Sequence, residues 1–168
     1  MESSITDKDT MIKRILEADA LYPTINRKFS YGTAGFRTLG AHLEKVCFRA
    51  GILSAIRAKV STGLTGVMVT ASHNPKQDNG IKIVEADGSM LHHEWEKKAE
   101  ALVNSQDLAA TLNSFDEEYR DHNIFSHRGY VFVGQDTRES SERLSASLRN
   151  GVTLIGCNTI NFGLTTTP

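Results

Sequence analysis

The stretch Gly66-Val67-Met68-Val69-Thr70-Ala71-Ser72-His73-Asn74-Pro75 passes from an apolar, β-branched run straight into a polar loop. Such a run suits a strand buried in a parallel sheet. In α/β folds the crevice at the carboxyl ends of the strands is where ligands bind. Ser72 is therefore expected on a rigid base, yet exposed, with His73 next to it. Pro75 stiffens the loop, and Asn79-Gly80 reads as a tight turn that returns Lys82 beside the serine. A hydroxyl, an imidazole and a compact cation in one small volume suit a phosphate. The same residues, taken alone, also fit an ordinary polar loop.

Outward from this stretch, helical and strand signals alternate. Met11 to Leu21 reads as a short amphipathic helix stopped by Pro23. Ser30 to Arg37 is aperiodic and reads as a loop. His42 to Val60 is a strong helix: Val46, Ala50, Leu53 and Ile56 share one side, and Lys45, Arg49, Arg57 and Lys59 are expected to face water. Ile81 to Ala86 reads as a second strand, His93 to Ser105 as a helix, and 108–128 as a polar stretch with one more helix. Tyr130 to Val133 is a third strand. Asp136 to Glu139 resembles a capping box opening a helix to about Asn150, and Val152 to Ile155 resumes strand character. This alternation predicts an α/β class: a three-layer α/β/α domain with a mixed, mostly parallel sheet.

Composition narrows the classes. The 168 residues fit one domain, and 39% hydrophobic with 23% charged content supports a real core. A net charge of -1 gives no reason to expect nucleic acid or an anionic membrane as partner. Cys47 and Cys157 are far apart in sequence, which favours reduced thiols over a disulfide framework. Met1 to Thr10 is polar, without an apolar signal core, and no apolar run approaches the ~20 residues that span a bilayer. A cytoplasmic, soluble domain is expected. There is neither a GxxxxGK[ST] loop nor a GxSxG elbow. The adjacent His92 and His93 would point about 100° apart on a helix and are not expected to chelate together. His42, His122 and His127 are isolated and expected exposed, Trp95 is expected in packing, and Cys47 in the core.

Four segments resemble one enzyme family. Thr70-Ala71-Ser72-His73-Asn74-Pro75, followed by Asp78-Asn79-Gly80-x-Lys82, is similar to the phosphoserine loop of the α-D-phosphohexomutases. Tyr31-Gly32-Thr33-Ala34-Gly35-Phe36-Arg37 resembles the family's N-terminal motif, in the form typical of the branch acting on N-acetylglucosamine phosphate. Gly134-x-Asp136-Thr137-Arg138-x-Ser140-Ser141 resembles a third motif, and Gly163-Leu164-x-Thr166-Thr167-Pro168 the element closing the first domain. The motifs run in family order from about Phe29 to Pro168, so residues 1–28 are expected to form a helical extension and 29–168 the first domain. The sequence stops at Pro168 with no tail, which looks like a cut.

The resemblance implies a role for each matching residue. Ser72 would be phosphorylated and pass its phosphoryl group to a sugar phosphate; His73 and Lys82 would assist as catalytic residues. Arg37, Asn74 and Arg138 would bind phosphate or substrate. Mg²⁺ is the implied cofactor, with one ligand from the phosphorylated Ser72 and the others from a second domain, because no Asp-Gly-Asp-x-Asp-Arg pattern occurs here. The implied partners are a hexosamine phosphate and the remaining mutase domains, and the implied reaction interconverts the 6- and 1-phosphates on the route to UDP-N-acetylglucosamine. The fragment alone is expected to be inactive. Alternatives are a phosphoglucomutase or phosphomannomutase fragment, or a short protein that binds phosphosugars or a partner without catalysis. Gln135 stands where the family motif usually has arginine, and Glu139 where it often has proline. If the usual arginine pairs inside the domain, the glutamine changes little; if it faces the site, phosphate affinity is expected to fall.

Overall fold

A computed structural model describes residues 7–166. Thr167 and Pro168, the end of the fourth motif, lie outside the described residues. The elements run α1 (Lys8–Asp19), β1 (Phe36–Leu39), α2 (Glu44–Val60), β2 (Leu64–Val69), β3 (Asp78–Val84), α3 (His93–Val103), α4 (Leu108–Glu118), β4 (Tyr130–Gln135), α5 (Ser141–Leu154) and β5 (Asn158–Leu164). The five strands form one mixed sheet in the order β1-β3-β2-β4-β5. β3 is antiparallel to both β1 and β2, and β2, β4 and β5 are parallel. The α/β class and the mixed sheet agree with the sequence reading.

Alternation along the strands fixes which face is covered. Thr65, Val67 and Val69 of β2, Ile81 and Ile83 of β3, and Val131 and Val133 of β4 are all buried. Strand neighbours share a face at period two, so these residues make one continuous apolar surface, on which α2 and α5 pack. Among the described residues the opposite face is barer: Met68 and Phe132 are half-buried, and Phe162, stacked 5.4 Å from Phe132, is 60% exposed.

α2 is enclosed by the sheet, α1, α3 and α5, which overturns part of its sequence reading. Arg49 and Lys59, expected in water, are 8% and 1% exposed. Arg49 forms a bidentate pair with Asp19, through Nε at 2.8 Å and Nη2 at 2.9 Å, and donates to the carbonyls of Val103 and Ser105. Lys59 donates to the carbonyls of Ile124 and Ile155, and burial lowers its pKa to about 8. A buried charge is tolerated when it is paired or fully hydrogen-bonded. Carbonyls from distant segments supply those bonds, and the helix's own periodicity carries no sign of them. Arg57 does lie nearer the surface, over the Trp95 ring and paired with Glu85.

α2 and α5 approach until their backbones nearly touch. A Cβ on Gly51 would collide with the Leu148 carbonyl, and one on Gly151 with the Phe48 carbonyl. Close approach of this kind needs residues with no side chain.

Three strand readings are corrected. Val152 to Ile155 is not a strand but the last turn of α5, because Leu144, Leu148 and Val152 bury one helical stripe. Gly156, at φ +86°, then closes a Schellman end: its N–H donates to Thr153 O and that of Cys157 to Val152 O. The strand follows as β5. Phe36–Leu39, in and beyond the expected loop, is edge strand β1, with Phe36 fully buried. Asn79-Gly80 is not a turn; it lies inside β3, and the turn closes earlier through Asp78 N–H on Pro75 O at 3.0 Å. α1 joins the common core through Met11, Ile12 and Ile15. Cys47 and Cys157 are free, Cys47 is buried as expected and Cys157 is buried too, and Trp95 packs against Tyr119 at 5.3 Å. His42 and His122, expected exposed, are half-buried, and His127 is exposed.

Candidate active site

β2 and β4 run parallel with Val69 opposite Gln135. The segments leaving their carboxyl ends, Thr70 to Gln77 and Asp136 to Glu139, therefore emerge side by side. Between them lies a cleft of about 660 Å³ lined by Thr70, Ser72, His73, Asn74, Asp136 and Arg138, among others. Ser72 and His73 are exposed at its rim.

Ser72 is held in a left-handed conformation, φ +52°, which is rare for a residue with a side chain. Such strain costs about 1–3 kcal/mol and persists only where the surroundings over-determine it. Here they do. The Ser72 N–H donates to Thr70 Oγ1 at 3.1 Å, and the Asn74 N–H to Ala71 O at 3.0 Å. From the other strand end, Arg138 grips the whole loop: Nη2 donates to Ser72 O at 2.8 Å and Asn74 O at 2.9 Å, Nη1 to Pro75 O at 2.6 Å and Asp78 O at 3.1 Å.

Asp136 is the hub behind this clamp. One carboxylate oxygen accepts from Thr70 Oγ1 and Arg138 Nε, the other from the Arg138 N–H and Ser141 Oγ. Burial pushes its pKa up, but these bonds and the Arg138 charge more than offset that and hold the carboxyl below the usual aspartate range. Asn79, fully buried in β3, donates to the hydroxyls of Ser140 and Ser141 and ties the serine loop to the start of α5.

Residues 46–110 and 115–168 match the profile of phosphoglucomutase/phosphomannomutase, alpha/beta/alpha domain I. The chain belongs to this family. It is 44% identical over 138 residues to human phosphoacetylglucosamine mutase, covering 82% of this chain and 26% of that protein. The pig phosphoacetylglucosamine mutase is 48% identical over 141 residues, at 82% and 26% coverage. Among solved structures, N-acetylglucosamine-phosphate mutase in its substrate complex superposes with a TM-score of 0.85 at 33% identity, over 93% of this chain and 30% of that one. Aspergillus fumigatus N-acetylphosphoglucosamine mutase in complex with GlcNAc-6P and magnesium gives 0.80 at 35% identity, over 93% and 29%. The chain thus spans under a third of the length of these mutases.

Within this family domain, Ser72, His73, Asn74 and Arg138 come together at one cleft. Arg37, on β1 opposite Gly80, reaches the same loop through Nη1 on Asn74 Oδ1 at 3.2 Å. Lys82 is set apart: it pairs with Met68 on the barer sheet face and is not part of the cleft lining. Arg138 stands differently from its expected use on phosphate, since its nitrogens are engaged by four loop carbonyls and Asp136. Gln135 turns into the domain, donating to Glu142 at 2.9 Å. Asp136 was expected to cap a helix directly; instead α5 starts five residues later and the carboxylate organises the loop. The sequence signal for this was the fixed spacing Asp136-x-Arg138 beside Ser140-Ser141, which names the partners without their target.

Proposed function

We propose that residues 29–168 form the phosphoserine domain of a hexosamine-phosphate mutase, in which Ser72 carries the phosphoryl group exchanged with the 6- and 1-positions of N-acetylglucosamine phosphate. The observation that carries this reading is the strained, exposed Ser72 locked by Arg138 and Asp136 at the ends of two parallel strands. Phosphoryl transfer depends mainly on positioning and charge stabilisation, and a rigid serine loop supplies the first. The names of the relatives support the sugar.

In the forward step a sugar hydroxyl gives up its proton as its oxygen bonds to phosphorus, the bond from phosphorus to Ser72 Oγ breaks, and Ser72 Oγ takes up a proton in its place. His73 sits exposed beside Ser72 and is our candidate to hold that proton. Arg37, steered by Asn74, contributes positive charge at the loop. Lys82 lies one strand over and acts on a phosphate that reaches the barer sheet face. Arg138 is assigned to shaping the loop rather than to binding substrate.

Magnesium fits this chain only in part. No group of three or more metal-ligating side chains occurs among the described residues, and both Asp136 oxygens are committed to hydrogen bonds. This domain would offer a phosphoserine oxygen alone, with the rest of the cage on further domains of the mutase. When bound, the ion would neutralise phosphoryl charge. No helix among the described residues is long and apolar enough to cross a membrane.

The test uses the native polypeptide that contains this domain, captured by antibody. Phosphopeptide mapping should find phosphate on Ser72, and Ser72→Ala should abolish N-acetylglucosamine phosphate mutase turnover. Full turnover of the Ser72→Ala protein would overturn the proposal.

A further inference from the structure

A second cleft, of about 820 Å³, opens between residues 23–29, the first turns of α2 and the end of α3. It shares no lining residue with the Ser72 cleft, and its size lies in the range of small-molecule sites. Its charged lining has one sign: Arg27, Lys28, Lys45 and Arg49, with His42 beside them and no carboxylate. Asp19, just behind the wall, is met by both Arg49 and Lys45, the latter at 3.6 Å. One carboxylate against two cations leaves an uncompensated positive charge before Arg27 and Lys28 are counted. This excess sits in a chain whose net charge is -1, so it is a local field rather than a general one.

The groups are also held in place. Lys45 Nζ donates to Thr24 Oγ1 at 2.8 Å. Arg27 Nη1 donates to Thr38 Oγ1 at 2.9 Å, and its guanidinium lies 5.2 Å from the Phe29 ring centre. His42 Nδ1 is buried and has no hydrogen-bond partner within the chain.

We propose that this cleft binds a phosphate-bearing small molecule at a site separate from Ser72. Fixed guanidinium and ammonium groups recognise phosphate oxygens through charge-assisted hydrogen bonds. The shared chemistry is the phosphate; a free diphosphate and a sugar phosphate are its two sources.

The experiment is amide-resolved NMR titration of the chain with inorganic pyrophosphate and, separately, glucose 6-phosphate. Amides of 24–28, 42–46 and 104–106 should shift saturably with at least one probe, whichever is tighter naming the source. The double variant Arg27→Gln/Lys45→Gln should weaken those shifts by roughly tenfold or more, with shifts of 72–77 unchanged. Unchanged spectra in the absence of probe, away from the two positions, show that the variant is folded; should it fail to fold, Lys28→Gln/His42→Gln replaces it under the same criterion. Shifts confined to 72–77, non-saturating shifts, or equal affinity in the folded variant would each overturn the proposal.

Discussion

Replacing Arg138 by methionine removes the side chain that grips residues 72–78 from the end of β4 and leaves the Thr70–Asp136 bond in place. Four carbonyl bonds and the pair with Asp136 go together. Hydrogen bonds to a charged group contribute about 1.5–3 kcal/mol each when buried, but the Ser72 and Pro75 carbonyls lie on the exposed side and can turn to water. The partly buried bonds to Asn74 O and Asp78 O therefore dominate. Together these bonds total about 3–6 kcal/mol, and strain relief at Ser72 returns about 1–3, so the central cost is about 2–3 kcal/mol. The loop amides of Ser72, Asn74 and Asp78, each hydrogen-bonded locally, should then exchange roughly 30–150 times faster. Thermal unfolding should fall by roughly 4–12 °C for a domain of this size. Arg138→Lys should behave nearly as badly, because one ammonium cannot serve four carbonyls. Hydrogen exchange at single-residue resolution decides it: unchanged protection at Asn74 and Asp78 in Arg138→Met would refute the clamp.

Three further outcomes are expected. Gly51→Ala forces α2 away from the Leu148 carbonyl and should lose about 2–3 kcal/mol in chemical denaturation; a loss under 0.5 kcal/mol would show that the helix crossing is loose. Gln135→Arg gives Glu142 a charged partner and removes Gln135 Oε1, which is buried without a partner, so stability should hold or rise by about 0.5–1 kcal/mol; a clear loss would mean the site cannot hold the longer side chain. Lys59 has a folded pKa of about 8 against an ordinary 10.5. Between those values the unfolded chain binds more protons, so stability from this group rises with pH, by roughly 3 kcal/mol across the window. Lys59→Met should lack that rise, and matching slopes for the two proteins between pH 8 and 10.5 would exclude it.

The chain's local pattern determined a good deal. The apolar run 66–71, the polar loop after it and the helix 42–60 follow from side-chain periodicity and turn chemistry, which are properties of neighbouring residues. The Ser72 loop stood out by its place after a buried strand, and its motif resemblance, not periodicity, set it apart from an ordinary polar loop. Tertiary structure decided the rest. Val152-Thr153-x-Ile155 has the composition of a strand, but burial against the sheet and α2 kept it helical until Gly156. Arg49 and Lys59 read as solvent residues because periodicity cannot register carbonyls arriving from residues 103, 105, 124 and 155. Arg138 read as a phosphate ligand because a guanidinium suits either use. Only the parallel pairing of β2 with β4, which sets residue 138 against residues 72–78, gave its donors four carbonyls to hold. A hydrogen bond across some sixty residues is fixed by how strands pair, and one strand's sequence does not contain its partner's position.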